Sequence, residues 1–151
     1  MTLIEVVIAC TITAVIIGGL SVAIYTIVNI TERGNAESAA LHDLQQASYW
    51  IGNDTQMAWT TSLSDGGSAT NNVTLRWTNG DGSSHYSIYQ LAGTRLQRNY
   101  DGNITTVAQY ISSLGFSISG RVFTFGIVSN PPGRQQISRQ STGEVYLRAK
   151  T

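Results

Sequence analysis

The sequence predicts an α+β fold: one long N-terminal helix whose second half packs against a mostly antiparallel β-sheet. Three observations carry this. Residues 6–30 hold no charged side chain. Residues 36–59 return apolar side chains at three- and four-residue steps, the pattern of an amphipathic helix. From residue 73 onward the chain breaks into short β-type runs separated by Gly, Asn and Asp turns. The expected organisation is a hydrophobic segment over 1–30, an amphipathic continuation over 31–59 and a β-rich part over 60–151. Of the 151 residues, about 120 lie beyond the apolar segment, enough for one small core.

The first element reads VVIACTITAVIIGGLSVAIYTIVNI over residues 6–30. About 20 apolar residues cross a bilayer core, so this stretch is long enough to span one. Glu5, at its amino end, is the only acidic or basic side chain in the first 31 residues. A carboxylate at the centre of a bilayer costs about 2.5 to 3.5 kcal/mol, less near an end, and asks for a partner. The nearby cation is the α-amino group of Met1, from this chain or from a neighbouring copy. An equally good local reading is a capping box, Thr2-x-x-Glu5, in which both side chains satisfy free N–H groups at a helix start. Gly18-Gly19 places two poor helix formers in the run, suited to close helix packing in lipid or to local unwinding in an assembled fibre. Cys10 is the single cysteine, so no disulfide within the chain staples the β-rich part.

Met1-Thr2-Leu3-Ile4-Glu5-Val6-Val7-Ile8-Ala9 resembles the mature amino terminus of type IV pilins and type II secretion pseudopilins. The resemblance implies a leader removed by prepilin peptidase and N-methylation of Met1. It also implies residence in the inner (cytoplasmic) membrane before assembly and in an extracellular filament afterwards. The partners implied are copies of the chain itself in a helical homopolymer and the inner-membrane assembly machinery. Met1, Thr2 and Glu5 would set assembly and register, and helix melting would fall at Gly18 and Gly19, with a melted or stretched segment over 18–22. Val22 stands where many major pilins carry a helix-breaking Pro; secretion pseudopilins often lack that Pro too. No basic region precedes the apolar run, so the expected chain is an already processed one.

The helix is expected to continue to residue 59. Ala36, Ala40, Leu41, Leu44, Ala47, Trp50 or Ser48, Ile51 and Ala58 form its apolar stripe. Residues 60–72 have connector composition. Strands are expected over 73–77, 85–91, 94–100, 111–118, 121–128 and 143–148. Turns fall at Asn79-Gly80-Asp81-Gly82, Ala92-Gly93 and Asp101-Gly102, and Asn130-Pro131-Pro132-Gly133 sets the last strand apart. Leu96, Val107, Ile111, Leu114, Phe116, Val122, Phe123 or Phe125, and Leu147 are the expected core. Val73-Thr-Leu-Arg-Trp, Tyr89-Gln-Leu, Ile111-Ser-Ser-Leu-Gly-Phe and Val145-Tyr-Leu-Arg loosely resemble the globular part of J-type minor pseudopilins.

The formal charge is zero but unevenly placed: residues 1–81 hold seven acids and two bases, residues 82–151 seven bases and two acids. Between copies such halves attract; the preferred expectation is a set of solvated surface charges, each pair worth little. The bases are too scattered for a nucleic-acid groove, so that partner is not expected. Enzymatic chemistry finds no support, and neither a cofactor nor a metal is expected. His42 and Asp43 are adjacent on a helix and diverge, and no phosphate loop, Gly-x-Ser-x-Gly elbow or metal spacing occurs. Four Asn-x-Thr triplets begin at Asn29, Asn53, Asn72 and Asn103; Asn72 and Asn103 are the better glycosylation candidates. The function expected first is a structural filament subunit. The alternatives are a minor pseudopilin at a secretion tip and a membrane-tethered binding module.

Overall fold

The structure, a computed structural model, describes residues 2–134 and 136–149. It has one α-helix, α1 (Leu3–Met57), followed by eight strands: β1 (Thr60–Thr61), β2 (Asn72–Thr78), β3 (Ser84–Ala92), β4 (Arg95–Tyr100), β5 (Asn103–Ala108), β6 (Ile111–Ser119), β7 (Val122–Ser129) and β8 (Arg139–Tyr146). Two compact units result, Met1–Asn35 and Ala36–Thr151. The first is helix alone. The second joins the rest of α1 to the strands and contains every buried helical residue.

All strand pairing is antiparallel, in a five-stranded meander β1-β2-β3-β4-β5 and a separate three-stranded sheet β6-β7-β8. The expected single sheet is thus two. The connector between β1 and β2 does more than link them. Gly66 N–H donates to the Ile118 carbonyl at 2.9 Å, and Thr70 and Phe116 exchange backbone bonds at 2.8 and 2.9 Å. The loop so covers the free side of β6, which otherwise presents unpaired backbone groups. Between β4 and β5 the two-residue turn Asp101-Gly102 has φ of 48° and 92°, the pair of positive values that a type I′ hairpin needs and that Asp-Gly supplies at low steric cost.

The core forms where the α1 stripe meets the inward side chains of both sheets. Ala40, Ala47 and Ile51 are wholly buried, with Tyr89, Phe116 and Phe123 the largest wholly buried side chains beyond the helix. Tyr89, Phe116 and Phe123 stack in a row with centroids 6.4 and 5.8 Å apart. Period two along β7 turns both Phe123 and Phe125 inward and leaves Val122, an expected core residue, half-buried. Leu41 also departs from expectation: it is exposed, and Asp43 occupies the inward position beside Leu44. The helix ends two residues before the expected boundary, and the final strand starts four residues before its expected position.

Candidate functional site

Among the described residues, the large apolar side chains of the Met1–Asn35 unit are exposed. Leu3, Val15, Ile16, Ile17, Leu20 and Ile24 lie on different sides of α1 and are all exposed. This helix is long and apolar enough to cross a membrane, and none of its apolar window is buried within the chain. Its hydroxyls are adapted to such surroundings. Thr11 donates to the Ile8 carbonyl at 2.8 Å, Thr13 to Ala9 at 2.7 Å, Ser21 to Ile17 at 2.8 Å, Thr26 to Val22 at 2.9 Å and Thr31 to Ile27 at 2.9 Å. Each hydroxyl proton finds an acceptor one turn back, so none asks lipid or an apolar neighbour for one.

At the amino end the Glu5 carboxylate accepts the Thr2 backbone N–H at 3.2 Å, and the Thr2 carbonyl accepts the Glu5 N–H at 3.0 Å. That is the acidic half of the capping box. Glu5 remains exposed beside a shallow groove left by the small side chains Ala9, Cys10, Thr13 and Ala14. Cys10 is a free, exposed thiol. Met1, expected to carry the processing and N-methylation and to contribute the register amine, lies outside the described residues. Gly18 and Gly19 are placed in continuous helix, and the melted segment expected over 18–22 is absent from the single chain. The physical reason is local: two glycines cost about 1 kcal/mol each against alanine, less than opening a turn whose backbone groups have no competing partner.

In the Ala36–Thr151 unit, two acids of α1 bind the strands. Asp54 is fully buried and accepts four bonds: Ser87 Oγ and Tyr89 Oη at 2.6 Å, Arg98 Nε at 2.7 Å and Arg98 Nη2 at 2.8 Å. Arg98 lies between the rings of Trp50 and Tyr100, 4.6 Å from each centroid, so both its edge and its faces are occupied. Burial works against the guanidinium charge, but the bonded Asp54 carboxylate outweighs it and holds the Arg98 pKa above its ordinary value. Burial first, and the same carboxylate second, push the Tyr89 phenol up, so it stays a donor. Asp43 accepts the backbone N–H groups of Gln109 and Tyr110 at 3.2 and 2.9 Å, closing the turn between β5 and β6. Glu37 and Arg139 form a further ion pair between the helix and β8.

A second polar group links the turns flanking β3 and β4. His85 Nδ1 lies 2.5 Å from Asp101 Oδ2, and His85 Nε2 lies 3.0 Å from Ser83 Oγ. The spacing resembles a nucleophile, base and orienting acid, but the hydroxyl points elsewhere: Ser83 Oγ donates its proton to Asp81 Oδ1 at 2.6 Å. Toward His85 the serine is then an acceptor, the reverse of a nucleophile facing its base. The Ser83 N–H also donates to Asp81 and the Tyr86 N–H to Asp101. The Ser83 hydroxyl holds the Asp81 carboxyl below its ordinary range, and His85 does the same for Asp101. The arrangement ties turns together.

Comparison with known proteins finds no matching family model, curated protein or solved structure. The chemistry of the chain therefore rests on its own residues. Asn72 and Asn103, the glycosylation candidates, are exposed at the first positions of β2 and β5, one residue beyond the turns in which they were expected.

Sequence reasoning missed Asp43 and Asp54 by treating them as solvated charges. A signal was present: they are eleven residues apart, three helical turns, in phase with Ala36, Ala40, Ala47 and Ile51. An acid in an apolar stripe implies a donor opposite. Which donor was not legible, because Arg98 arrives from 44 residues away.

Proposed function

We propose that the chain is a structural subunit of an extracellular type IV pilus-like filament, held in the inner membrane by its N-terminal helix and then polymerised through it. The observation that carries this reading is the helix of the Met1–Asn35 unit: apolar on every side, unpartnered within the chain, its hydroxyls internally bonded, with one acid at its end. A tether alone accounts for the apolar surface and leaves Glu5 only its capping bond to the Thr2 N–H. In the filament, Glu5 exchanges its bond to the Thr2 N–H for the terminal amine of a neighbouring copy and so sets axial register. Prepilin peptidase and the inner-membrane assembly machinery are the partners before polymerisation. We read no enzymatic role.

Energetics constrain the step. Against water, burial of each large aliphatic side chain contributes about 1.5 to 3 kcal/mol, but lipid is already as apolar as a neighbouring helix. Transfer from membrane to filament is near balance in apolar terms, so the charge at Glu5 and contacts between β-rich parts decide it. Val22, in unbroken helix where major pilins often carry Pro, favours a second reading as a minor pseudopilin at a secretion tip.

Electron microscopy of the purified assembly tests the proposal. Wild-type chains should form long homopolymers, and Glu5→Ala should abolish them or disorder their axial repeat. Ordered filaments from Glu5→Ala would refute the register role. Heteromeric tips would favour the pseudopilin, and membrane-bound monomers the tethered module.

A further inference from the structure

Two open hollows of about 540 and 440 Å³ adjoin at Trp59 and Thr60, which line both. Arg121 and Arg148 border the larger, Arg76 the smaller. Backbone bonds bring the three arginines there. The Trp59 N–H donates to the Arg76 carbonyl at 3.1 Å, the Arg148 N–H to the Ala58 carbonyl at 2.9 Å and the Leu147 N–H to the Arg121 carbonyl at 3.0 Å. The two residues just after α1 are thereby stitched between β2 on one side and the segment after β8 on the other. Arg121 Nη2 also donates to the Leu147 carbonyl at 2.5 Å, which draws that side chain along the larger hollow.

These arginines differ from the two cations that hold the helix to the strands. Arg98 is spent on Asp54 and Arg139 on Glu37, whereas Arg76, Arg121 and Arg148 are exposed and have no ion-pair partner among the described residues. Two acids are bonded to lining residues: Asp65 accepts the Gly120 N–H at 2.6 Å at the larger hollow, and Asp101 accepts the Tyr86 N–H at 2.8 Å and lies 2.5 Å from His85 Nδ1 at the smaller. Three cations against these two engaged acids leave a net positive charge, placed mostly on the Arg121–Arg148 side, that attracts anions. The rest of the wall is hydroxyl-rich, with Thr60, Thr61, Thr78 and Ser84, and includes the half-buried Trp59. Both hollows fall in the size range of about 300 to 1,000 Å³ typical of ligand sites.

We propose that this double hollow binds a carboxylated polysaccharide, a polyuronate, with Arg76 and the Arg121–Arg148 side taking carboxylates of separate sugars in one chain. Arginine forks match carboxylates, an indole suits the apolar face of a sugar ring, and the hydroxyls suit its alcohols. Nucleic acid fits less well: a single strand needs a continuous basic track with successive stacking platforms, and here the cations are split between two hollows, and of the aromatic side chains that line them Trp77 is buried. The site lies wholly within the Ala36–Thr151 unit.

Calorimetric titration of the full chain in nonionic detergent tests this, with tetragalacturonate as ligand and its fully methyl-esterified form as control. The free acid should bind, with an affinity that falls as salt rises, and the ester should not. Arg76→Gln and Arg148→Gln should each weaken binding about two- to fivefold, with thermal unfolding unchanged because both side chains are exposed. Equal binding of acid and ester, no binding of the acid, or wild-type affinity in both variants would overturn the site. Tighter binding of a single-stranded oligonucleotide than of the tetrasaccharide would also overturn it, in favour of nucleic acid.

Discussion

Removing the Asp54 carboxylate leaves Arg98 held between two rings with no anion, and leaves Ser87 and Tyr89 as buried donors without an acceptor. Breaking such a pair from one side costs about 3 to 5 kcal/mol, so Asp54→Ala should lose a large share of the about 5 to 15 kcal/mol that holds a domain folded. Urea unfolding reads the loss. Arg98→Met in the same chain should recover part of it by removing the stranded charge, and a double variant no more stable than Asp54→Ala would contradict this account. Asp101 is a milder case, with a pH signature. The bond from His85 holds its carboxyl below the ordinary value of 3.8, so the folded state binds this proton less readily than the unfolded state. The stabilisation is therefore complete above about pH 4 and is lost as pH falls through the folded value. Asp101→Asn keeps a residue that tolerates the φ of 48° and removes the charge. Its stability deficit should be present at neutral pH and vanish in acid, as followed by thermal melts at a series of pH values.

Among the elements, legibility follows how completely a pattern is determined by neighbours in sequence. β2, β3, β6 and β7 alternate between core and surface and are bounded by turn residues, so their positions emerge from period two alone. β5 is an edge strand whose first four residues face water; with no alternation to betray it, Asn103-Ile-Thr-Thr reads as an extended turn. β1 is two residues long and exists only because β2 offers it an edge. The division into two sheets was illegible for a similar reason, since it depends on the 62–71 loop pairing with β6 at long range. Within α1, the apolar run and the place of Glu5 were plain, while the state of Gly18-Gly19 was not. Glycine lowers the cost of unwinding without deciding whether unwinding occurs. Replacing both with alanine should leave the single chain helical, more so by about 1 kcal/mol per site. If assembly requires a melted segment, the doubly substituted chain should polymerise poorly in the assay used for Glu5→Ala. Filaments of unchanged length and repeat would show that the helix enters the fibre intact.

For the whole molecule, the opposed charges of the two halves find a use within one chain. Asp54 with Arg98 and Glu37 with Arg139 each join an acid on α1 to a base on a strand, so part of the asymmetry secures the helix to the sheets. The same contacts define what can fold alone. Among the described residues, every buried one lies in Ala36–Thr151, along with both buried acids of the helix and both sheets, while the large apolar side chains of Met1–Asn35 are exposed. A chain beginning at Ala36 should therefore be soluble without detergent and unfold in one cooperative transition. A chain beginning at Thr60 should not fold, because it lacks Leu44, Ala47 and Ile51 and leaves Arg98 without Asp54. Near-ultraviolet circular dichroism separates these outcomes, since the Tyr89, Phe116 and Phe123 row gives a fixed-ring signal only when packed. A sharp signal from the chain starting at Thr60 would mean that the sheets hold themselves together and that the helix is attached to a fold it does not help to form.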